Sequence, residues 1–189
     1  RKAIELDPEQ AMPWLVFGDL LTDHLDRHEE AETAYRKAIE LDPEQAMPWL
    51  VLGGLLTNRL NRHEEAETAI RKSIELDPKS AQLWTSLGVL LSAKFSRHEE
   101  AEAAFRTAMK RQPDNILARR CLGGLLMYHL DRYGEAEAVF REIIEIDPEF
   151  RDCWDDLGYV LLYFLCRPDE AAAAYAQALK NEPGELIAE

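Results

Sequence analysis

An all-α solenoid of antiparallel helix pairs is the fold class this sequence predicts, and three observations predict it. RKAIELDPEQAMPWLV at residues 1–16 returns letter for letter at residues 36–51. Pro8, Pro43, Pro78, Pro113, Pro148 and Pro183 fall in one 35-residue register, as do Gly18, Gly53, Gly88, Gly123 and Gly158. Between these marks the apolar residues follow helical spacing, and nothing alternates as a strand would. A period of this length denotes a supersecondary unit that buries its apolar face only against its neighbours. The whole chain, 1–189, therefore reads as one repeat array: 1–9 ends a preceding repeat, five repeats cover roughly 10–43, 44–78, 79–113, 114–148 and 149–183, and 184–189 begins another.

Within the first repeat, Trp14, Phe17, Gly18, Leu21 and Leu25 share one helical face. Pro13 fits only a first turn, where its missing N–H has no partner to lose. A first helix is thus predicted from Gln10 or Ala11 to about Leu25. Asp26 followed by Glu29 resembles a capping box, repeated as Asn61/Glu64 and Ser96/Glu99, with Cys166 a weaker cap in the fifth repeat. A second helix follows from Arg27 to Glu40, with Ala31, Ala34, Tyr35, Ala38 and Ile39 as its apolar stripe and Glu32–Arg36 as an exposed pair. Leu41-Asp42-Pro43 ends it, because proline disfavours helical geometry in the residue before it. Glycine in the same helical place in every repeat implies the close approach of another backbone, with Ala31 opposite. The repeated Trp14, Trp49, Trp84 and Trp154 read as core.

Trp14-x2-Phe17-Gly18-x2-Leu21, then Ala31-x3-Tyr35 and Pro43, resembles the tetratricopeptide repeat over essentially the whole chain. The resemblance implies a right-handed superhelix. Arg119 departs from it by replacing the tryptophan of the fourth repeat, and the period of 35 exceeds the family's 34 by one residue. Gly18 to Ala31 holds the extra residue, so it lies in the turn between the helices. An apolar residue precedes that turn every time: Leu25, Leu60, Phe95, Leu130 and Leu165. The expectation is a lengthened first helix with one more buried anchor.

The resemblance also implies a groove, lined by the first helices, that binds a protein or peptide. Carried over position by position, that face offers Met12, Leu15 and Asp19, then Met47, Leu50 and Asn58, then Gln82, then Arg120 and Tyr128, then Asp155, Tyr159 and Tyr163. The last two repeats are the most individual, and aromatic residues and arginine dominate interfaces. Leu15, Leu50 and Thr85 stand where a clamp for chaperone-tail carboxylates needs cations and asparagine, so that ligand is not expected.

With 22 Lys and Arg against 36 Asp and Glu, the net charge is −14, which opposes nucleic acid and anionic membranes as partners. RNA-reading pentatricopeptide repeats share the 35-residue period, but their signature is absent here. No apolar run is long enough to span a bilayer. Cys121, Cys153 and Cys166 lack metal-type spacing and suggest reduced thiols in the cytoplasm, while any targeting peptide would precede Arg1. His28, His63 and His98, one repeat apart, read as exposed first-turn residues rather than zinc ligands. No nucleophile–base pair or phosphate loop stands out, so neither catalysis nor a cofactor is expected.

The leading functional expectation is a noncatalytic binding scaffold. A second is self-association of repeat ends into a fibre or tube, through Ile4 and Leu6 at one end and Leu179, Leu186 and Ile187 at the other. A third is the recognition arm of a larger enzyme.

Overall fold

The computed structural model describes residues 9–181, and they form ten helices and no strand. In chain order these are α1 (Ala11–Asp23), α2 (His28–Leu41), α3 (Ala46–Asn58), α4 (His63–Leu76), α5 (Ala81–Phe95), α6 (His98–Arg111), α7 (Ile116–Tyr128), α8 (Tyr133–Ile146), α9 (Arg151–Tyr163) and α10 (Pro168–Lys180). They divide into two compact bodies, one closing at Ser96 and the other opening at Arg97. In the N-terminal body α1 pairs with α2 and α3 with α4, while α3 packs on α2 and α5 on α4. In the C-terminal body α7 pairs with α8 and α9 with α10, while α7 packs on α6 and α9 on α8. Each body is a stack of helix pairs, as the repetition predicts. The residues invoked for end-to-end association, Leu179 apart, lie outside the described residues.

Each pair closes on its glycine, but not as expected. What lies nearest the glycine is a side chain of the second helix, and at Gly53 its backbone, the Ala66 carbonyl at 3.3 Å, comes into range as well. A Cβ built on Gly18 would stand 2.3 Å from the Tyr35 ring, one on Gly123 2.5 Å from Phe140, and one on Gly158 2.8 Å from Tyr175. Gly53 faces Ile70 in the same way, at 2.6 Å. Small residues Ala31, Ala66, Ala136 and Ala171 on the second helices are all fully buried and let the pair approach. The tryptophans are half-buried rather than core. The indoles of Trp49, Trp84 and Trp154 donate to the carbonyls of Pro43, Pro78 and Pro148 at 3.4, 3.1 and 2.8 Å, tying each first helix to the turn before it.

The turn within each repeat corrects two expectations. First helices stop at Asp23, Asn58, Tyr128 and Tyr163, and only α5 extends, to Phe95. The extra residue is absorbed instead by left-handed backbone: Asp26, Asn61, Ser96, Asp131 and Cys166 all have φ of 53–56°. These are therefore not N-caps. Arginine holds that place in every repeat, with no side-chain cap. Its N–H closes the turn on a carbonyl six residues back, as in Arg62 to Leu56 at 2.9 Å and Arg167 to Leu161 at 2.9 Å. Asn and Asp tolerate this backbone better than other non-glycine residues do. The residue before it packs only in part: Leu25 is exposed, and Leu60, Phe95, Leu130 and Leu165 are half-buried.

Two glycine substitutions separate packing from propensity. Gly123→Ala should lower the melting temperature. Overpacking against the fully buried Phe140 costs typically about 1–3 kcal/mol, and about 1 kcal/mol of better helix propensity offsets it only in part. The adjacent Gly124 has open space around its Cβ direction, so Gly124→Ala should instead raise the melting temperature.

Candidate functional site

The first-helix face divides sharply by exposure. In the N-terminal body Met12, Met47, Asn58 and Gln82 are exposed. Leu15 and Leu50 retain only 8 % of their surface and belong to the core, so they offer a ligand nothing. Thr85, the third position of the discounted carboxylate clamp, is buried as well. Asp19 is half-buried and accepts a 2.8 Å hydrogen bond from the Tyr35 hydroxyl. Burial, then Thr22 and Asp19, act on that phenol, and the balance raises its pKa.

In the C-terminal body the predicted residues come together. Helix α7 has a side-chain N-cap, Asn115 accepting from the Ala118 N–H at 2.9 Å, which fixes its start. From its far end Tyr128 approaches Tyr159 of α9, with ring centroids 6.2 Å apart, and Tyr159 lies 4.7 Å from Tyr163. All three rings are tilted and exposed, by 57 %, 37 % and 62 %. Arg120 reaches across to α9, its Nε donating to Asp156 at 2.8 Å and its Nη1 to Asp152 at 2.7 Å, with the guanidinium over the Phe150 ring at 5.6 Å. Burial pushes the Asp156 carboxyl up while Arg120 pulls against it. Asp155 stands 3.7 Å from Arg151.

Sequence reasoning missed Asp156, Phe150 and Tyr175. Asp156 occupies the register position of Val16 and Val51, of which Val16 is exposed, so its place in the sequence did not call for a buried partner. Tyr175, covering Gly158, is drawn in because burial, Tyr163, Asp155 and the other two tyrosines all raise its pKa.

A second surface lies over the second helices. Glu32 and Arg36 do not merely pair with each other at 2.8 Å. Arg62 of the next repeat donates to Glu32 at 2.7 Å and to Glu65 at 2.6 Å, and Arg36 reaches Glu65 at 3.4 Å, closing a ring of four charges. The same ring recurs as Glu102, Arg106, Arg132 and Glu135, and as Glu137, Arg141, Arg167 and Glu170. Beside the last lies a groove of about 280 Å3 floored by Trp154, Leu157 and Leu161.

His28, His63 and His98 are half-buried rather than exposed, and His98 stacks on the exposed His129 at 4.5 Å. Among the described residues no three His, Cys, Asp or Glu side chains gather closely enough to hold a metal ion. Cys153 is buried, its thiol donating to the Phe140 carbonyl, and burial first, then Asp156, push its pKa up to about 12. No helix among the described residues is long and apolar enough to cross a membrane.

Comparison with known proteins agrees with this geometry. Tetratricopeptide repeat profiles match residues 23–81 and 89–149, and a second such profile matches 69–103. The chain belongs to the tetratricopeptide repeat family. Among solved structures it resembles PilW, a type IV pilus biogenesis factor, with a TM-score of 0.82 and 23% identity over 98% of this chain and 84% of that one. It also resembles MamA, with a TM-score of 0.78 and 22% identity over 93% of each chain. YrrB, described as a tetratricopeptide repeat protein with an unusual peptide-binding site, gives 0.70 and 25% identity over 98% of this chain and 93% of that one. No curated protein matches in sequence.

The charge rings give a pH prediction. Burial pushes the Glu102 carboxyl up, but Arg132 and Arg106 outweigh it and hold it below the usual range. Arg132 likewise holds Glu135 down. A depressed pKa stabilises the fold above the unfolded value, about 4.3 for glutamate, and that contribution is lost as pH falls through the folded value. The melting-temperature advantage of the parent over Glu102→Gln should therefore be full near neutrality and shrink below pH ~4.3.

Proposed function

We propose that this chain is a noncatalytic scaffold that binds a protein or peptide segment on its first-helix face, with Tyr128, Tyr159 and Tyr163 as the anchoring surface. The observation that carries the reading is the cluster itself: three large rings in mutual contact yet exposed, in a family whose architecture presents such faces. Exposed aromatic groups of this size supply contact area at small conformational cost. Family membership and the peptide-binding site of YrrB support the same direction. Met12 and Met47, exposed and pliable, form a separate candidate surface on the N-terminal body.

Selection of random 12-residue peptides displayed on phage tests it. The parent protein should enrich a related set of peptides, and the triple variant Tyr128→Ala, Tyr159→Ala, Tyr163→Ala should not. An unchanged far-UV circular dichroism spectrum and melting curve would show that the variant remains folded. Equal enrichment by both proteins would remove the tyrosines from the site.

A further inference from the structure

We infer that the Tyr128–Tyr159–Tyr163 surface receives the cationic side chain of a Lys- or Arg-bearing segment of the partner protein. The inference rests on the peptide-binding reading above and specifies its ligand.

Three features converge on a cation. The rings meet at 48° and 44°, and although Tyr159 also meets Phe164, Tyr128 and Tyr163 keep more than half their surface open to a ligand. A guanidinium or ammonium over such faces is attracted by the ring quadrupole. Carboxylates stand close by: Asp156 opposes negative charge on the Tyr128 hydroxyl, and Asp155 does so on Tyr175, the ring that covers Gly158 beside the three. Burial, Tyr159 and Asp156 together raise the Tyr128 phenol, so the ring stays neutral and keeps its hydroxyl proton.

The charge balance excludes the opposite ligand. On the same helices, α7 and α9, Asp152, Asp155 and Asp156 stand against Arg120 and Arg151. Arg120 is already held by two of those carboxylates. The chain as a whole carries −14. An anionic segment would meet repulsion from both, and a purely apolar one would strip water from carboxylates and phenol hydroxyls without replacing its hydrogen bonds. A cationic side chain satisfies both groups at once.

The protein supplies its own precedent a few residues away. Arg120 lies over the Phe150 ring while its nitrogens engage Asp152 and Asp156. That is the same combination, a guanidinium between an aromatic face and carboxylates, satisfied internally. Beside the exposed tyrosines three acids face two arginines, Asp155 meeting Arg151 only at 3.7 Å, so one negative charge stands in excess for a partner's cation to meet.

The peptides recovered by phage selection provide the test. They should be enriched in Arg or Lys relative to the library. Replacing the key arginine by citrulline, or lysine by norleucine, should weaken binding roughly tenfold. Tyr163→Phe should retain affinity, since the ring face remains, whereas Tyr163→Leu should lose about as much as the citrulline peptide does. Asp155→Asn should weaken the arginine peptide and leave its citrulline counterpart unchanged. If no peptide is enriched, the peptide-binding reading itself fails. Recovery of peptides without cations, or indifference to citrulline and norleucine, would overturn this inference alone.

Discussion

The contact of a bulky second-helix side chain with a bare glycine on the first helix is the constraint on which each helix pair depends. With Tyr35 on Gly18, Phe140 on Gly123 and Tyr175 on Gly158, the ring occupies the volume where a Cβ would be. This sets the distance between paired helices and leaves alanines at 31, 66, 136 and 171 to close the remainder of the seam. Where isoleucine replaces the ring, at Ile70, the pair still closes on Gly53, with Ala66 O also in contact range at 3.3 Å. The seam thus tolerates a change of shape in the large partner more readily than a change of size in the small one.

The pairwise architecture was legible because helical spacing, first-turn prolines and the register of Gly and Pro all agree on it. The turn was harder. Asp26-x2-Glu29 has the letters of a capping box, but the extra residue of the 35-residue period is absorbed by left-handed backbone at Asp26, which moves the helix start to His28 and leaves Arg27 as the flanking residue. Spacing alone cannot reveal a sign change in one φ angle. Leu60, Leu130 and Leu165 were misjudged for the same reason: the helix ends before them, and they pack half-buried beyond it.

The first-helix face was legible in phase but not in depth. Register put Tyr128, Tyr159 and Tyr163 on one face, where the rings meet, yet it could not distinguish exposed Met12 and Met47 from buried Leu15 and Leu50, which follow three residues later on the same helices. Side-chain partners across repeats were equally hidden. Asp156 and the rings of four charges join residues about 30 or more positions apart, and neither helix alone shows the need for them.

Those rings have a consequence for how such a chain can grow. Each takes Glu and Arg from one repeat and Arg and Glu from the next, so each of the first four repeats carries a hook on one side and an eye on the other, while Ala172 and Ala176 leave the fifth with one half only. A tandem gene duplication that inserts a whole 35-residue module copied from those four brings both halves and restores the fastening at each new junction without further mutation. An insertion that is not a whole multiple of 35 residues would put the two halves out of register. The verbatim return of residues 1–16 at 36–51 is the trace expected of a chain extended by copying, with its joints supplied in advance.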